Sequence, residues 1–309
     1  MSKIDQIQAD LLEMVAGLRG APKEGAFNIR LNGKSAGHSG SSQVSIEFKA
    51  AGSGIDVRVA PGTKGEKIYI PVVISESGMR EIVYNDFYIG EGAEVEIIAG
   101  CAVHNCAQGV TQHDGVHAFR LEKGARVLYK EKHYGSGEGT GERVLNPVTE
   151  CFLGEGSYME MDTVQIKGVD STRRLTRGKV GKNATLIVRE KLMTHGSQRA
   201  ETRFEVAMEG AGSGVNLISR SVARDRSSQV FFSKIEGNNA CTGHSECDAI
   251  IMDEAIVRAV PEIIANHVDA SLIHEAAIGK IAGEQLIKLM TLGLTRQEAE
   301  EQIIGGFLK

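Results

Sequence analysis

One turn signature recurs through the middle of the chain, and its spacing restricts the fold more than any other feature. Tyr88-Ile-Gly-Glu-Gly-Ala-Glu-Val-Glu-Ile97 is echoed by Arg120-Leu-Glu-Lys-Gly-Ala-Arg-Val-Leu-Tyr129 and Cys151-Phe-Leu-Gly-Glu-Gly-Ser-Tyr-Met-Glu160. Lys179-Val-Gly-Lys-Asn-Ala-Thr-Leu-Ile-Val188 and Val206-Ala-Met-Glu-Gly-Ala-Gly-Ser-Gly-Val215 follow the same plan: an apolar residue, a tight turn, a small residue, then a strand. Taking Gly92, Gly124, Gly156, Asn183 and Gly212 as markers, the intervals are 32, 32, 27 and 29 residues. A period in that range, with strands and turns and no helical pattern between them, is what a β-solenoid requires. The markers are Gly or Asn because the corner calls for positive φ, which costs these residues least. An antiparallel sandwich shares the short strands and glycine turns but does not call for the repeat.

The flanks read differently. Ile4, Ile7, Leu11, Leu12, Met14, Val15 and Leu18 recur at helical spacing before Gly20 and Pro22, which predicts a short amphipathic helix within residues 1–25. Alternating runs such as Val44–Phe48, Ile55–Val59 and Val95–Ile98 begin the β region, assigned to 26–258. From 259 to 309 a helical module is expected: Leu286, Leu289 and Met290 share a helix face ended by Gly293, and Thr295 with Glu298 forms a capping box opening a second helix closed by Gly305. The expected fold is mainly β, a solenoid between a short N-terminal helix and a C-terminal helical module.

Composition narrows the function. The 35 basic and 40 acidic residues sum to −5 and are interspersed, which argues against nucleic-acid binding. No apolar run reaches the ~18 residues of a membrane span, and the N-terminus lacks the apolar core of a secretion signal, so a cytoplasmic protein with no membrane partner is expected. Five cysteines in a chain of 309 residues point to free thiols or metal ligands rather than a disulfide framework. With no Trp and 5% aromatic residues, a sugar-binding groove is poorly provided for.

Two phosphate-binding patterns fail on inspection. Gly33-Lys34-Ser35 has Asn28 where a phosphate loop needs its first glycine and reads as a turn, while the Gly135–Gly141 run lacks dinucleotide spacing and reads as a mobile loop. Cys101, His104 and Cys106, with His113 and His117 downstream, could form a zinc site or, for the cysteines, be small packed residues; the histidines could line a polar groove or face solvent. A denser cluster, Cys241-Thr-Gly-His244-Ser-Glu246-Cys247-Asp248, offers thiol, imidazole and carboxylate ligands suited to iron or zinc. His274-Glu275 follows Cys247 by 27 residues, one repeat later, so the groups could stack. A Cys247–His274 nucleophilic dyad has no recognisable third residue or oxyanion site.

Several segments together resemble the SufB/SufD family of iron–sulfur cluster assembly proteins. They are Ala259–Ile263, Asp269–Ile281, Glu284–Leu286, Leu292–Leu294, Glu298-Ala299 and Gly306-Phe307, with Ser219–Val222, Ser227–Gln229, Asp170–Thr172 and Lys130–Tyr134 upstream. The resemblance implies a right-handed parallel β-helix, a cytoplasmic scaffold with no turnover of its own, and a SufC-type ABC ATPase docked on the C-terminal helices. It also implies a sulfur donor and recipient apoproteins as partners. The chain lacks most of the N-terminal extension of bacterial SufB or SufD and resembles the short versions found beside a single SufC-like ATPase; where no SufD partner exists, a homodimer through the β-helix is expected to replace the SufB–SufD pair. By the same resemblance Cys247 is a thiolate ligand and sulfur acceptor for a transient [2Fe-2S] or [4Fe-4S] cluster, Glu275 an oxygen ligand, and His274 an alternate ligand or neighbour. Cys241, His244 and Glu246 stand beside them as further candidates. SufD-like proteins lack the cysteine; a structural SufD-like subunit is the alternative.

Overall fold

Strict alternation of inward and outward side chains, as in Thr185–Thr194 and Ser228–Gly237, gives each strand one buried face and lets successive strands stack around a common interior. The computed structural model describes residues 4–50 and 52–309 and is a solenoid of about 8 turns. Its first sheet runs, in spatial order, Lys34–Ser39, Ala26–Leu31, Lys64–Ile74, Glu94–His104, Arg126–Ser136, Tyr158–Lys167, Thr185–Thr194, Ser213–Ala223, Cys241–Ile251 and Ala270–Gly279. The second runs Val44–Phe48, Gly54–Val59, Arg80–Ile89, Thr111–Leu121, the pair Arg143–Leu145 and Val148–Leu153, then Ser171–Val180, Arg199–Met208, Ser228–Gly237 and Ile256–Ala265. Apart from a hairpin at the start of each sheet, all pairings are parallel.

The repeat markers sit at one corner with φ of 63°, 65°, 65°, 52° and 72° for Gly92, Gly124, Gly156, Asn183 and Gly212. Their N–H groups form a ladder along the axis: Gly92 donates to the Lys123 carbonyl at 2.9 Å, Gly124 to Glu155 at 2.9 Å, and Gly156 to Lys182 at 2.8 Å. Positive φ turns each amide toward the next coil, so the corner residue both bends the chain and joins the turns. The sequence-derived marker positions are therefore the corners themselves.

The two ends of the stack differ. At the start, Asn32 and Gly33 (φ 45° and 76°) make a tight hairpin turn, and helix α1 (Gln6–Ala16), capped by Asp5 and ended by Gly17, lies over the outside. Its Leu11, Leu12 and Val15 pack against Ile29, Val73 and Ala102, and a side chain at Gly100 would collide with the Val15 backbone. At the other end the helices begin later than 259: Ile256–Ala265 and Ala270–Gly279 continue the coil as parallel strands. Pro261 is tolerated because Ile256–Ala265 is an edge strand, with one ladder only. Then come α2 (Gly283–Thr291) and α3 (Arg296–Phe307), the latter opened by the expected Thr295–Glu298 capping box but running through Gly305. Ile304 and Leu308 anchor α3 on Val222. None of these helices is long and apolar enough to cross a membrane, among the described residues.

The glycine run 135–141 is a packed layer rather than the free loop its composition suggests. A Cβ on Gly137, Gly139 or Gly141 would overlap backbone of Asn105, Ala107 or Gly109, so the alternate glycines let two loops lie backbone to backbone.

The interior is apolar over most of its length, with Phe87 and Phe119 stacked at 4.4 Å, but a polar row crosses it. His117 Nδ1 lies 2.8 Å from the Tyr129 hydroxyl, which donates to Glu131 at 2.9 Å; Arg174 donates to Glu131 at 2.6 Å and sits 3.5 Å from Glu190. Burial opposes ionisation of Glu131, yet Arg174 and His133 outweigh it and hold the carboxyl well below its ordinary range. Burial lowers His117 to about 4, with His113, His133 and Arg174 adding to the effect against Glu131. The Asn85 amide 3.2 Å from Nε2 fits a neutral ring carrying its proton on Nδ1.

Two outcomes follow from these features. Gly124→Asn should leave the urea midpoint nearly unchanged, as Asn183 already occupies an equivalent corner, whereas Gly124→Val should cost about 1–2 kcal/mol through its left-handed backbone. His117 is lowered from 6.5 to about 4 on folding, so the unfolded chain binds the extra proton and stability falls as pH drops through that window. Urea unfolding at pH 7 and 4.5 should show His117→Gln losing less stability on acidification than wild type, by on the order of 2 kcal/mol.

Candidate functional site

The parity of the strand Cys241–Ile251 decides where the candidate ligands point. Cys241, Gly243, Ser245, Cys247 and Ala249 are buried, while Thr242, His244, Glu246 and Asp248 alternate to the outside. On the next strand His274 takes the inward parity, in register with Ser245, and Glu275 the outward one, in register with Glu246. The six candidates thus divide into an inward set, Cys241, Cys247 and His274, and an outward set, His244, Glu246 and Glu275.

Within the inward set, Cys247 and His274 occupy neighbouring coils two positions apart along the strand direction. Cys241 is six residues upstream of Cys247 on the same strand, about 20 Å away at the rise of a strand, so the two thiols do not meet. Cys247 is only 1% exposed and stands in register between Ser219 and Ala276. Burial, with Glu190 and Asp248 adding negative charge, pushes its thiol up to about 12. Burial lowers His274, reinforced by His244 against the Ser245 backbone and Glu275. Its buried Nδ1 has no hydrogen-bond partner among the described residues.

Outside, His244 Nδ1 lies 3.1 Å from the Asn216 amide oxygen and its Nε2 3.6 Å from Glu275. Glu246 lies 3.8 Å from Arg220; burial and then the neighbouring Asp248 raise its pKa. Glu275 and Cys247 are on opposite faces of one sheet. Among the described residues no group of three or more His, Cys, Asp or Glu side chains is placed to hold a metal ion.

The alternative zinc set also comes apart. Cys101, His113 and His117 point into the core, whereas Cys106 is exposed on a loop; the two histidines neither face solvent nor line a surface groove. Cys151 is packing: it is buried beside Met161, 3.9 Å between sulfurs, and burial raises it to about 12.

Sequence reasoning passed over the residues that surround Cys247 from inside. Ser219, its register partner, donates to Glu190 at 2.8 Å, and Thr202 donates to the other Glu190 oxygen at 2.8 Å. Glu190 in turn faces Arg174. The polar row of the core therefore reaches the coil next to Cys247. Strand parity could have found it: in Lys130–Tyr134 the inward positions are Glu131 and His133, charged or polar where a core is expected.

The coil carrying Cys241, His244, Glu246 and Cys247 is the last but one, and the final coil, which carries His274 and Glu275, is bare. Ile263 and Ile278 continue the inward columns of Ile235 and Ala249, yet they are 41% and 39% exposed. Each final strand also leaves one row of backbone groups without a ladder.

Comparison with known proteins gives the chain a family. The profile for "SUF system FeS cluster assembly, SufBD core domain" matches residues 85–307. An "Iron-sulfur cluster assembly SufBD family protein" of Methanothermobacter thermautotrophicus is 28% identical over 260 residues, 82% of this chain and 62% of the relative. One of Archaeoglobus fulgidus is 28% identical over 258 residues, 83% of this chain and 68% of the relative. A third, from Methanocaldococcus jannaschii, is 25% identical over 251 residues, covering 79% and 78%. The match to the Methanothermobacter protein thus spans less than two thirds of that relative's length. With its matched core and its parallel coils, the chain belongs to the SufBD family of iron–sulfur cluster assembly proteins.

Proposed function

We propose that the chain is a scaffold on which an iron–sulfur cluster is built and from which it is passed on. Cys247 supplies the thiolate and His274 a nitrogen donor on the inward face; Glu275, whose parity is outward, can add an oxygen donor only if this end of the sheet rearranges. The observation that carries this reading is a cysteine and an imidazole whose Nδ1 has no partner among the described residues, two register positions apart on the inward face of the last two coils, at an end of the solenoid that none of the described residues covers. Thiolate holds iron strongly, and imidazole or carboxylate exchanges more readily, so a mixed site can assemble a cluster and release it. A SufD-like structural role has no need of a thiol at position 247.

One chain offers too few convergent donors, and its final coil exposes Ile263 and Ile278 beside unpaired strand edges. Both features support a second copy docking end to end across a two-fold axis, which brings two Cys247 residues toward a common site and covers the edges. Because Cys247 is shut in and its thiol resists ionisation, loading needs the end to open. A SufC-type ATPase bound to α2 and α3 could drive that opening; Ile287, Met290 and Leu292 in this region face outward. Glu246, His244 and Cys241 remain outside the ligand set in this reading.

Anaerobic reconstitution with ferrous iron and sulfide should give cluster absorption in the wild type and lose most of it in Cys247→Ser, with equal yield and spectrum in both proteins counting against the assignment. In sedimentation, Ile263→Lys should dissociate the pair at least roughly tenfold more readily, a shift of about 1.4 kcal/mol or more, with the far-UV spectrum of the fold intact.

A further inference from the structure

Outward side chains in a solenoid stack into columns, one residue per coil, and α1 and α3 each cover an apolar one. On the first sheet Val73, Ala102 and Tyr134 stand in register and pack with α1. Farther along the same sheet Met193, Val222 and Ile250 stand in register and pack with α3. The spacing of successive coils, about 4.8 Å, is close to the rise of a helical turn, about 5.4 Å. A helix lying along the solenoid axis therefore sets one apolar side chain on each coil.

The second sheet has such a column as well. Tyr84, Val116, Val148 and Leu175 are in register on successive strands, all with outward parity. Tyr84 and the neighbouring Ile82 are 46% and 45% exposed, and the three aliphatic residues are half-buried. Arg203 takes the next position, where its guanidinium lies 4.4 Å over the Phe232 ring and closes the column. The helices α1 and α3 are both committed to the first sheet.

Two charges flank this column on one side. Asp114 precedes Val116 by two residues on the same face; Gln112 donates to its Oδ2 at 2.8 Å, and its buried Oδ1 has no partner among the described residues. Arg173 precedes Leu175 by two residues. Arg143, Arg174 and Arg177 nearby are paired with carboxylates, whereas Arg173 is exposed and pairs with none among the described residues. Asn146 lies on the strand path between them and accepts the Arg173 N–H at 3.0 Å. Asp114 and Arg173 are thus two coil spacings apart, about 10 Å, and seven residues of helix rise about 10.5 Å.

We propose that this column is a docking surface for one amphipathic helix of another protein, lying along the solenoid axis. Its apolar residues, at i, i+3 or i+4, and i+7, seat on Val116, Val148 and Leu175. Along its edge a basic side chain meets Asp114 and, seven residues away, an acidic one meets Arg173; the opposite order sets like charges together. The surface belongs to the sheet that does not carry Cys247 and His274, so a helix bound here leaves the open end free.

The test uses the full chain at low ionic strength and a labelled, Ala-rich synthetic peptide of about 18 residues, long enough to be helical alone. The peptide carries Leu at the contact positions and Lys and Glu seven residues apart, and binding is read by fluorescence anisotropy. Saturable binding is expected, weakened at least roughly tenfold by Val148→Glu and by Leu175→Lys, each of which buries a charge under the helix, with far-UV spectra matching wild type. A peptide with Lys and Glu exchanged should bind several-fold more weakly, and Arg173→Glu should narrow that preference. No saturable binding, equal affinity for Val148→Glu, or equal affinity for both charge orders overturns the inference. Self-association of the wild type in sedimentation that Val148→Glu abolishes also overturns it, because the occupant is then a second copy.

Discussion

Every strand in the solenoid takes its backbone partners from the turn before and the turn after, and the rest of the structure is arranged around that dependence. Parallel ladders carry each coil onto the next, and the corner amides of Gly92, Gly124 and Gly156 reinforce them. A stack of this kind has two ends with unpaired backbone. One end is finished within the chain: hairpins turn the first strands antiparallel, while α1 covers the adjacent flank of the first sheet. The other stops at Ile256–Ala265 and Ala270–Gly279 with inward columns of the core still open. Cys247 and His274 lie where the architecture is unfinished, so in the proposed reading one docked copy would both cover the end and complete the ligand set.

The buried charges connect this end to the middle of the molecule. Arg174 lies between Glu131 and Glu190, and Glu190 accepts the hydroxyl of Ser219, the register partner of Cys247. Such a row does not pack as well as aliphatic side chains would, and removing one member strands the others: loss of one partner from a buried pair costs about 3–5 kcal/mol. Its members are joined by hydrogen bonds and by the Arg174–Glu190 ion pair, which together orient the inward face that Cys247 shares.

Much of the fold was legible in the sequence because its corners are chemically special. Positive φ restricts residue choice, so Gly92, Gly124, Gly156, Asn183 and Gly212 gave the period and the turn positions together. The 259 boundary was misplaced because Pro261 and the short apolar runs around it fit an edge strand as well as a chain leaving a sheet. The glycines of 135–141 were read as freedom when they serve close approach, a difference set by a neighbouring loop 32 residues away in sequence. At the site, the residue types were legible but their faces were not: without register, Cys247, Glu275 and Cys241 look like one cluster, whereas parity separates the first two and strand length the last. The outward column of Tyr84, Val116, Val148 and Leu175 depends on strand neighbours that periodicity alone does not align.

The central claim is that the cluster belongs to a pair of chains, held where two open ends meet. Native mass spectrometry of the anaerobically reconstituted protein measures this directly by reporting iron and sulfide mass against the number of chains. The account predicts cluster mass on the dimer at one cluster for two chains, with dissociated monomers carrying none. A complete cluster on each isolated monomer would contradict it.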